Sequence, residues 1–230
     1  MESTLAQIDA TVAQIAGKFN EIPAKVNAVL AQSSSVPEGI LSTIRELWDS
    51  LVEKMQEFFA NLADMQHGDG DYEAMKDAQE KWLSDVAMPM SEAFENSELG
   101  NLAVDNWDGE AADKYEERIP GQRSAMNSVK EMAKDISTGF SKMCVGIANY
   151  RAEMLAAVGV LLLGIILAIV SIAGLITIPA GLAAIITALV TATYLIAKAA
   201  TNFAGQANSA KLEMDKALVS GVKNWPEFVV

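Results

Sequence analysis

The chain has little of the chemistry that catalysis, metal binding or disulfide cross-linking requires. Its 230 residues include a single cysteine, Cys144, and a single histidine, His67. One cysteine cannot form an intramolecular disulfide, and one histidine cannot form a histidine cluster. The sequence also contains no phosphate-binding loop and no complete metal-binding motif. We therefore expect no enzymatic activity and no cofactor.

Formal charge is absent from the 44 residues that separate Glu153 from Lys198. A bilayer core needs about 20 apolar residues for each helical crossing, so this run is long enough for two. Pro179 and Gly181 lie near its middle and predict the end of one helix and the start of another. The run therefore predicts a hairpin that enters a membrane. The alternative is a buried helical pair in a soluble protein, and both states can belong to one protein.

Basic residues are scarce before the apolar run. Residues 1–153 contain 13 Lys or Arg and 27 Asp or Glu, whereas residues 198–230 carry a net charge of +1. Such an acidic body argues against a nucleic-acid partner and against electrostatic docking on anionic lipid. The N-terminus lacks the basic start and apolar core of a signal peptide, so export would follow a route without a cleaved signal.

Apolar residues recur at alternating steps of three and four, the spacing of helices packed in a bundle. Such seams predict helices over 4–30, 38–66 and 72–98, with bends at Pro23 and Pro89.

A further seam begins at Gln122, after Ile119-Pro120-Gly121, and continues without a break into the apolar run; past Lys198 the same spacing continues to Val222. The expected fold is all-α, a bundle of long antiparallel helices with a hydrophobic membrane-inserting helical hairpin.

Loop-forming residues and the bounds of the apolar run divide the chain into four consecutive segments. These are a coiled-coil-like helical pair over 1–70, a helical hairpin over 71–153, the hydrophobic transmembrane hairpin over 154–199, and a return helix with its tail over 200–230.

An acidic stretch before the third helix has part of the spacing of a calcium loop. Asp69, Asp71, Glu73 and Glu80 occupy positions 1, 3, 5 and 12, but position 6, which requires glycine, is Ala74. The same carboxylates suit the start of a helix, where the dipole favours negative charge. We predict a helix start and no metal site.

A short motif before the fourth helix combines Trp107 and Gly109 with two alanines and Tyr115. Asp108 can cap the helix that begins there, and Trp107 supplies a large apolar side chain. Together with the helix before it, this pattern resembles the Trp-x-Gly family of small helical-hairpin substrates of type VII secretion, over about residues 72–150. The resemblance implies a turn at Trp107 between antiparallel helices and export by that route. The chain differs in its extra helices and in Met154, which stands where the family's export signal has an acidic residue four positions after a tyrosine.

Small and hydroxyl-bearing residues recur in both arms of the predicted hairpin, and such residues let membrane helices pack closely. They can join the two arms of one hairpin, or hairpins of several copies, or both. The candidates for insertion and packing are Gly159, Gly164, Ser171, Gly174, Pro179, Gly181, Ala184, Thr187, Ala188 and Thr191.

An uncharged tip carried on long amphipathic helices is similar, in layout alone, to helical pore-forming toxins of the cytolysin A kind. The leading functional hypothesis is a type VII-associated protein that inserts its hairpin into a lipid bilayer and self-assembles into a pore or complex. The alternatives are a permanent membrane scaffold that binds a protein partner, and a soluble adaptor whose hairpin is covered by a chaperone. The expected location is a membrane or the cell envelope.

Overall fold

The computed structural model describes residues 2–32, 35–66, 70–96 and 107–222. Every regular element within these ranges is a helix, and none of the described residues forms a strand. The expected all-α class is therefore confirmed. Residues 97–106 and 223–230 and Asp69 lie outside the described residues, so the end of the predicted helix 72–98 does too.

The first two helices form where their apolar seams predict them. Helix α1 spans Glu2–Ala31 and passes through Pro23, and helix α2 spans Glu38–Gln66. The apolar seams become the buried faces of these helices. The buried residues are Ile8, Ile15, Ile22, Val26 and Val29 in α1, and Ile44, Leu51, Met55, Phe58 and Leu62 in α2.

A π-helical stretch interrupts the third predicted helix. Helix α3 spans Tyr72–Lys81, the π-helical segment spans Trp82–Ala87, and helix α4 spans Met88–Asn96. The Met88 N–H donates to the Leu83 carbonyl, five residues back. Proline has no N–H and its ring collides with the carbonyl four residues earlier, so the wider turn accommodates Pro89.

Two long helices complete the fold: α5 spans Glu110–Ser171 and α6 spans Thr177–Val222. The expected continuity from Gln122 into the apolar run is confirmed. The expected start of that helix at Gln122 is wrong, because α5 continues through Pro120 from Glu110. The residues of the preceding turn are exposed, so water can solvate the carbonyl that Pro120 leaves without a donor.

The contacts of the chain define two compact units. Unit 1 comprises Met1–Gly70 and Ile147–Phe203, and unit 2 comprises Asp71–Gly146 and Ala204–Val230. Helices α5 and α6 each contribute to both. The four consecutive segments predicted from the sequence are thus combined into two units, each built from parts that are distant along the chain.

In unit 1, α1 and α2 share a single hydrophobic core with the unit 1 parts of α5 and α6. Phe58 is the largest fully buried side chain, and the others are isoleucine, leucine and methionine. The rings of Phe19 and Trp48 stack with their centroids 5.9 Å apart and join α1 to α2.

In unit 2, α3 runs antiparallel to α5. The Ser137 hydroxyl donates to the Gln79 carbonyl at 3.2 Å, and Cys144, which follows Ser137 along α5, lies near Glu73, which precedes Gln79. The buried residues of this unit are mostly small. Among the described residues they are Ala87, Ala112, Ala125, Ala133, Ile136, Ser137, Gly139, Cys144, Gly146, Ala210 and Ala217.

Candidate membrane-inserting surface

The uncharged hairpin consists of two arms of similar length. The first runs from Met154 to Ser171 at the end of α5, and the second from Thr177 to Ala197 at the start of α6. At about 1.5 Å per residue these arms are roughly 27 and 31 Å long. The hydrocarbon core of a bilayer is about 30 Å thick, so each arm matches one crossing.

The turn of the hairpin lies earlier than Pro179 and Gly181 predict. It occupies residues 172–176 and is closed by Thr177, whose hydroxyl oxygen accepts from the Gly174 N–H at 3.0 Å and whose hydroxyl donates to the Gly174 carbonyl at 2.8 Å. Pro179 is the third residue of α6. Proline suits the first turn of a helix because the N–H groups there have no intrahelical acceptor. The expected break at Pro179 is therefore wrong, and Pro179 belongs to a helix start.

Glycine brings the two arms into close contact at two points. A Cβ added to Gly164 would lie 2.5 Å from the Cβ of Ala188, and one added to Gly181 would lie 2.5 Å from Cγ1 of Ile172. These residues join the arms of one hairpin, one of the two roles that the sequence left open. A Cβ added to Gly159 or to Gly174 would meet no atom within 4 Å, so neither glycine serves an arm contact.

At the base of the hairpin, the rings of Tyr150 and Phe203 stack with centroids 5.3 Å apart. The Asn202 amide donates to the Glu153 carboxylate at 3.3 Å. Arg151, which lies between Tyr150 and Glu153 along α5, is only 6 % exposed. The arms are thus held together from the base to the turn in antiparallel register.

Each arm has an inner face that is buried in the core of unit 1. Helices α1 and α2, which we call the sheath, cover this face. The sequence did not identify this partnership. The inner-face residues are 0–2 % exposed: Met154, Ala157, Val158, Leu161, Ile165 and Ala168 in the first arm, Ile172 at the start of the turn, and Ile178, Leu182, Ile185, Leu189, Ala192 and Ile196 in the second arm.

The surface of the arms and turn that the sheath leaves uncovered, which we call the outer face, is apolar and exposed. Seven large side chains there are between 43 and 83 % exposed. Complete burial of one such side chain stabilises a protein by about 1.5–3 kcal/mol, so leaving seven in water forfeits several kcal/mol. Exposed apolar patches of this kind mark interaction surfaces. The seven residues are Val160, Leu163, Leu167, Val170, Ile176, Val190 and Tyr194.

The hydroxyl groups predicted to line the arms are bonded to their own helices. The Ser171 hydroxyl donates to the Ala168 carbonyl at 2.7 Å. Thr187 and Thr191 are both exposed and donate to the carbonyls four residues earlier at 2.9 and 2.8 Å. Ala184 is also exposed. Since these hydroxyls need no water as a partner, they are compatible with lipid.

Two cavities adjoin the sheath, one mainly between α1 and α2 and one between α2 and the second arm. One of about 510 Å³ is lined by α1, by Arg45 and Asp49 of α2, and by Leu182 near the turn. The other, of about 270 Å³, is lined by Lys54 and Glu57 of α2 and by residues 189–197 of the arm. Charged groups of the sheath therefore lie beside the tip and the middle of the hairpin.

These charges oppose entry of the sheath into lipid. A charged side chain at the centre of a bilayer costs about 2.5–3.5 kcal/mol on insertion scales. The four charges that line the cavities would together cost on the order of 10 kcal/mol, comparable with the 5–15 kcal/mol that stabilises a typical folded protein. The inner face of the hairpin, by contrast, carries no charge.

The Trp-x-Gly motif starts α5 in unit 2. Gly109 has φ +111°, a conformation that side-chain-bearing residues rarely adopt, and its carbonyl accepts from the Ala112 N–H at 2.8 Å. Trp107 is 45 % exposed and its ring contacts that of Tyr115, with centroids 5.8 Å apart. Glycine at position 109 thus suits the start of α5, and Trp107 is only half covered; the turn between antiparallel helices that the resemblance implies involves residues 97–106, which lie outside the described residues.

The acidic stretch begins a helix, as predicted. Asp71 caps α3, since its carboxylate accepts from the Ala74 N–H at 3.0 Å. Across the described ranges, no three His, Cys, Asp or Glu side chains are grouped closely enough to hold a metal ion.

The fold and this surface define an all-α bundle with two helices, α5 and α6, that are long and apolar enough to cross a membrane. In each, a third of the most apolar stretch is buried, whereas a core helix of a soluble protein is mostly buried. The chain matches no family model, no curated protein and no solved structure.

Proposed function

We propose that this protein is a type VII secretion-associated pore former, which inserts its hairpin into a membrane and assembles with further copies into a transmembrane pore or complex. The outer face carries this proposal. It is uncharged, it exposes seven large apolar side chains, and it belongs to arms whose length matches a bilayer. A soluble form is supported as well, because the inner face is covered by the sheath.

Dye release from liposomes tests insertion. The wild-type protein should release an entrapped dye, and Leu163→Asp should release much less. Leu163 lies at the middle of the first arm and is 61 % exposed, so a carboxylate there hardly affects the soluble fold. In the bilayer it costs about 2.5–3.5 kcal/mol, which lowers insertion roughly a hundredfold.

Leu212→Asp is the matched control, because Leu212 is 55 % exposed on the unit 2 part of α6. It should release dye as wild type does. A wild-type protein that releases no dye, or a Leu163→Asp variant as active as the control, would show that the hairpin does not form a pore.

Assembly is tested by the mass of the detergent-solubilised protein. A pore requires a multiple of 24.6 kDa, and a monomer under all conditions contradicts self-assembly.

The type VII part of the proposal is supported by the Gly109 turn and the Trp107–Tyr115 contact. In cells that carry a type VII system, the protein should reach the medium only while that system works, and Trp107→Ala should reduce its export. Export that continues after loss of the system contradicts this part and leaves pore formation unaffected.

A permanent membrane scaffold is the second candidate, because both long helices satisfy the length and composition of a crossing. Cell fractionation separates the candidates. A scaffold is found in membranes alone, whereas the pore former also occurs in a soluble fraction.

A further inference from the structure

We infer that the hairpin enters a membrane only after the sheath, α1 and α2, has come off its inner face as a pair, with the two arms still joined. This inference rests on the proposed function and describes the step that controls it. The surface that must open is the seam between α2 and the second arm.

The first reason is the position of charge within unit 1. Arg45 and Asp49 share a cavity with Leu182, so they lie at the depth of the hairpin tip. Lys54 and Glu57 share a cavity with Leu189 and Thr193, near the middle of the second arm. If the sheath remained attached while the arms crossed, these groups would be carried into the hydrocarbon, where ionised side chains are strongly disfavoured.

The second reason is the chemistry of the inner face. Its residues are apolar in both arms, and lipid tails solvate them as well as the sheath does. Removal of the sheath therefore exposes no charged group of the arms to lipid. The sheath itself is negatively charged, with nine acidic and four basic residues in α1 and α2, and suits water.

The third reason is that the two arms pack more closely against each other than the second arm packs against the sheath. The arms meet at Gly164 and Gly181 so closely that an added methyl group would collide. The interface between α2 and the middle of the second arm instead contains an open groove of about 270 Å³. Atoms that line such a groove lack attractive contacts on that side. The bundle should thus separate at the sheath while the arms stay together.

The fourth reason is that α1 and α2 contact each other directly. Phe19 of α1 stacks on Trp48 of α2, and both are only partly buried by the rest of the core. After release, α1 and α2 can keep covering part of each other's apolar face, which lowers the cost of exposing it to water.

A reversible cross-link tests this step. In a Cys144→Ala background, Glu57→Cys and Thr193→Cys place two thiols on one cavity between the sheath and the second arm. A reducible bis-maleimide would bridge them in the soluble protein. The bridged protein should lose dye release, and cleavage of the bridge by a reductant should restore it in the same sample, so misfolding cannot account for the loss.

The matched control bridges the arms to each other. Glu153→Cys and Asn202→Cys replace side chains that hydrogen-bond at the base of the hairpin. This bridge should leave dye release unchanged, because the arms enter together.

Equal release by the sheath-bridged and reduced proteins would overturn the inference and leave pore formation standing. Loss of release in the control bridge as well would overturn it too, since the arms would then have to separate. If neither protein released dye before bridging, the proposed function itself would fail.

Discussion

The two units of this protein have different kinds of core. The twelve largest fully buried side chains of the described residues, including Phe58, all belong to unit 1. In unit 2 the buried positions are mostly alanine, and Gly139 lets α6 approach α5 so closely that an added Cβ would lie 2.6 Å from Met214. Unit 1 thus depends on the area of large apolar side chains, and unit 2 on close approach of its helices.

This difference indicates what each part of the chain is built to do. Large aliphatic side chains are equally suited to a protein core and to lipid, so unit 1 can exchange one environment for the other. Small side chains hold helices together only while their backbones are in contact. The buried core of unit 2 therefore has few large apolar side chains to transfer to a membrane.

The largest effect should come from truncating a unit 1 core residue. Phe58→Ala should lower the free energy of unfolding by about 3–5 kcal/mol, because it removes a fully buried ring and leaves a cavity. In unit 2, where Ala133 is fully buried, enlargement is the damaging change, and Ala133→Leu should cost about 1–3 kcal/mol. Urea unfolding of each variant gives both values. If both variants lost only a little free energy of unfolding, the two cores would not differ in kind.

A smaller effect should distinguish glycines at close contacts from glycines elsewhere. Gly164→Ala should cost about 1–3 kcal/mol, because its Cβ collides with that of Ala188. Gly139→Ala should cost less, because the side chain of Met214 can move aside. Gly159→Ala is the control, since its Cβ meets nothing, and it should stabilise the helix by about 0.5–1 kcal/mol. Thermal unfolding should rank the three in this order; destabilisation by Gly159→Ala would contradict the assignment of arm contacts.

The smallest effect concerns the reactivity of unit 2 towards thiol reagents. Burial raises the pKa of the Cys144 thiol, and the nearby Glu73 carboxylate raises it further. Because the thiolate is the reactive form, alkylation of the native protein should need a higher pH than alkylation of the unfolded chain. Val145→Cys in a Cys144→Ala background places a thiol at a position that is 55 % exposed and should react at ordinary pH. Identical pH profiles for the two thiols would show that unit 2 does not protect Cys144.

The sequence predicted the helices well, because apolar spacing reports directly which side of a helix is buried. The seams of α1 and α2 agree with the buried residues, and α2 has the predicted bounds. Proline was the main source of error. A proline can end a helix, lie within it or start it, and Pro120 and Pro179 illustrate the last two cases.

The two faces of the hairpin could not be predicted from the sequence. Both arms are apolar all round, so Leu161, which is fully buried, and Leu163, which is 61 % exposed, are equivalent by composition. Their difference arises from the sheath, a partner that is distant along the chain. Periodicity shows that a helix has an apolar face, but it does not identify what covers that face.

The position of Pro179 has a consequence for the speed of insertion. In the proposed insertion the tip of the hairpin would be the first part to enter the hydrocarbon, and the first turn of α6 would bring backbone N–H groups that have no intrahelical acceptor. Pro179 removes one such donor, the Thr177 N–H donates to the Gly174 carbonyl at 3.0 Å, and the Thr177 hydroxyl oxygen accepts from Ala173 and Gly174. Each unsatisfied backbone group costs several kcal/mol in lipid. These bonds would therefore lower the activation barrier for translocation of the tip.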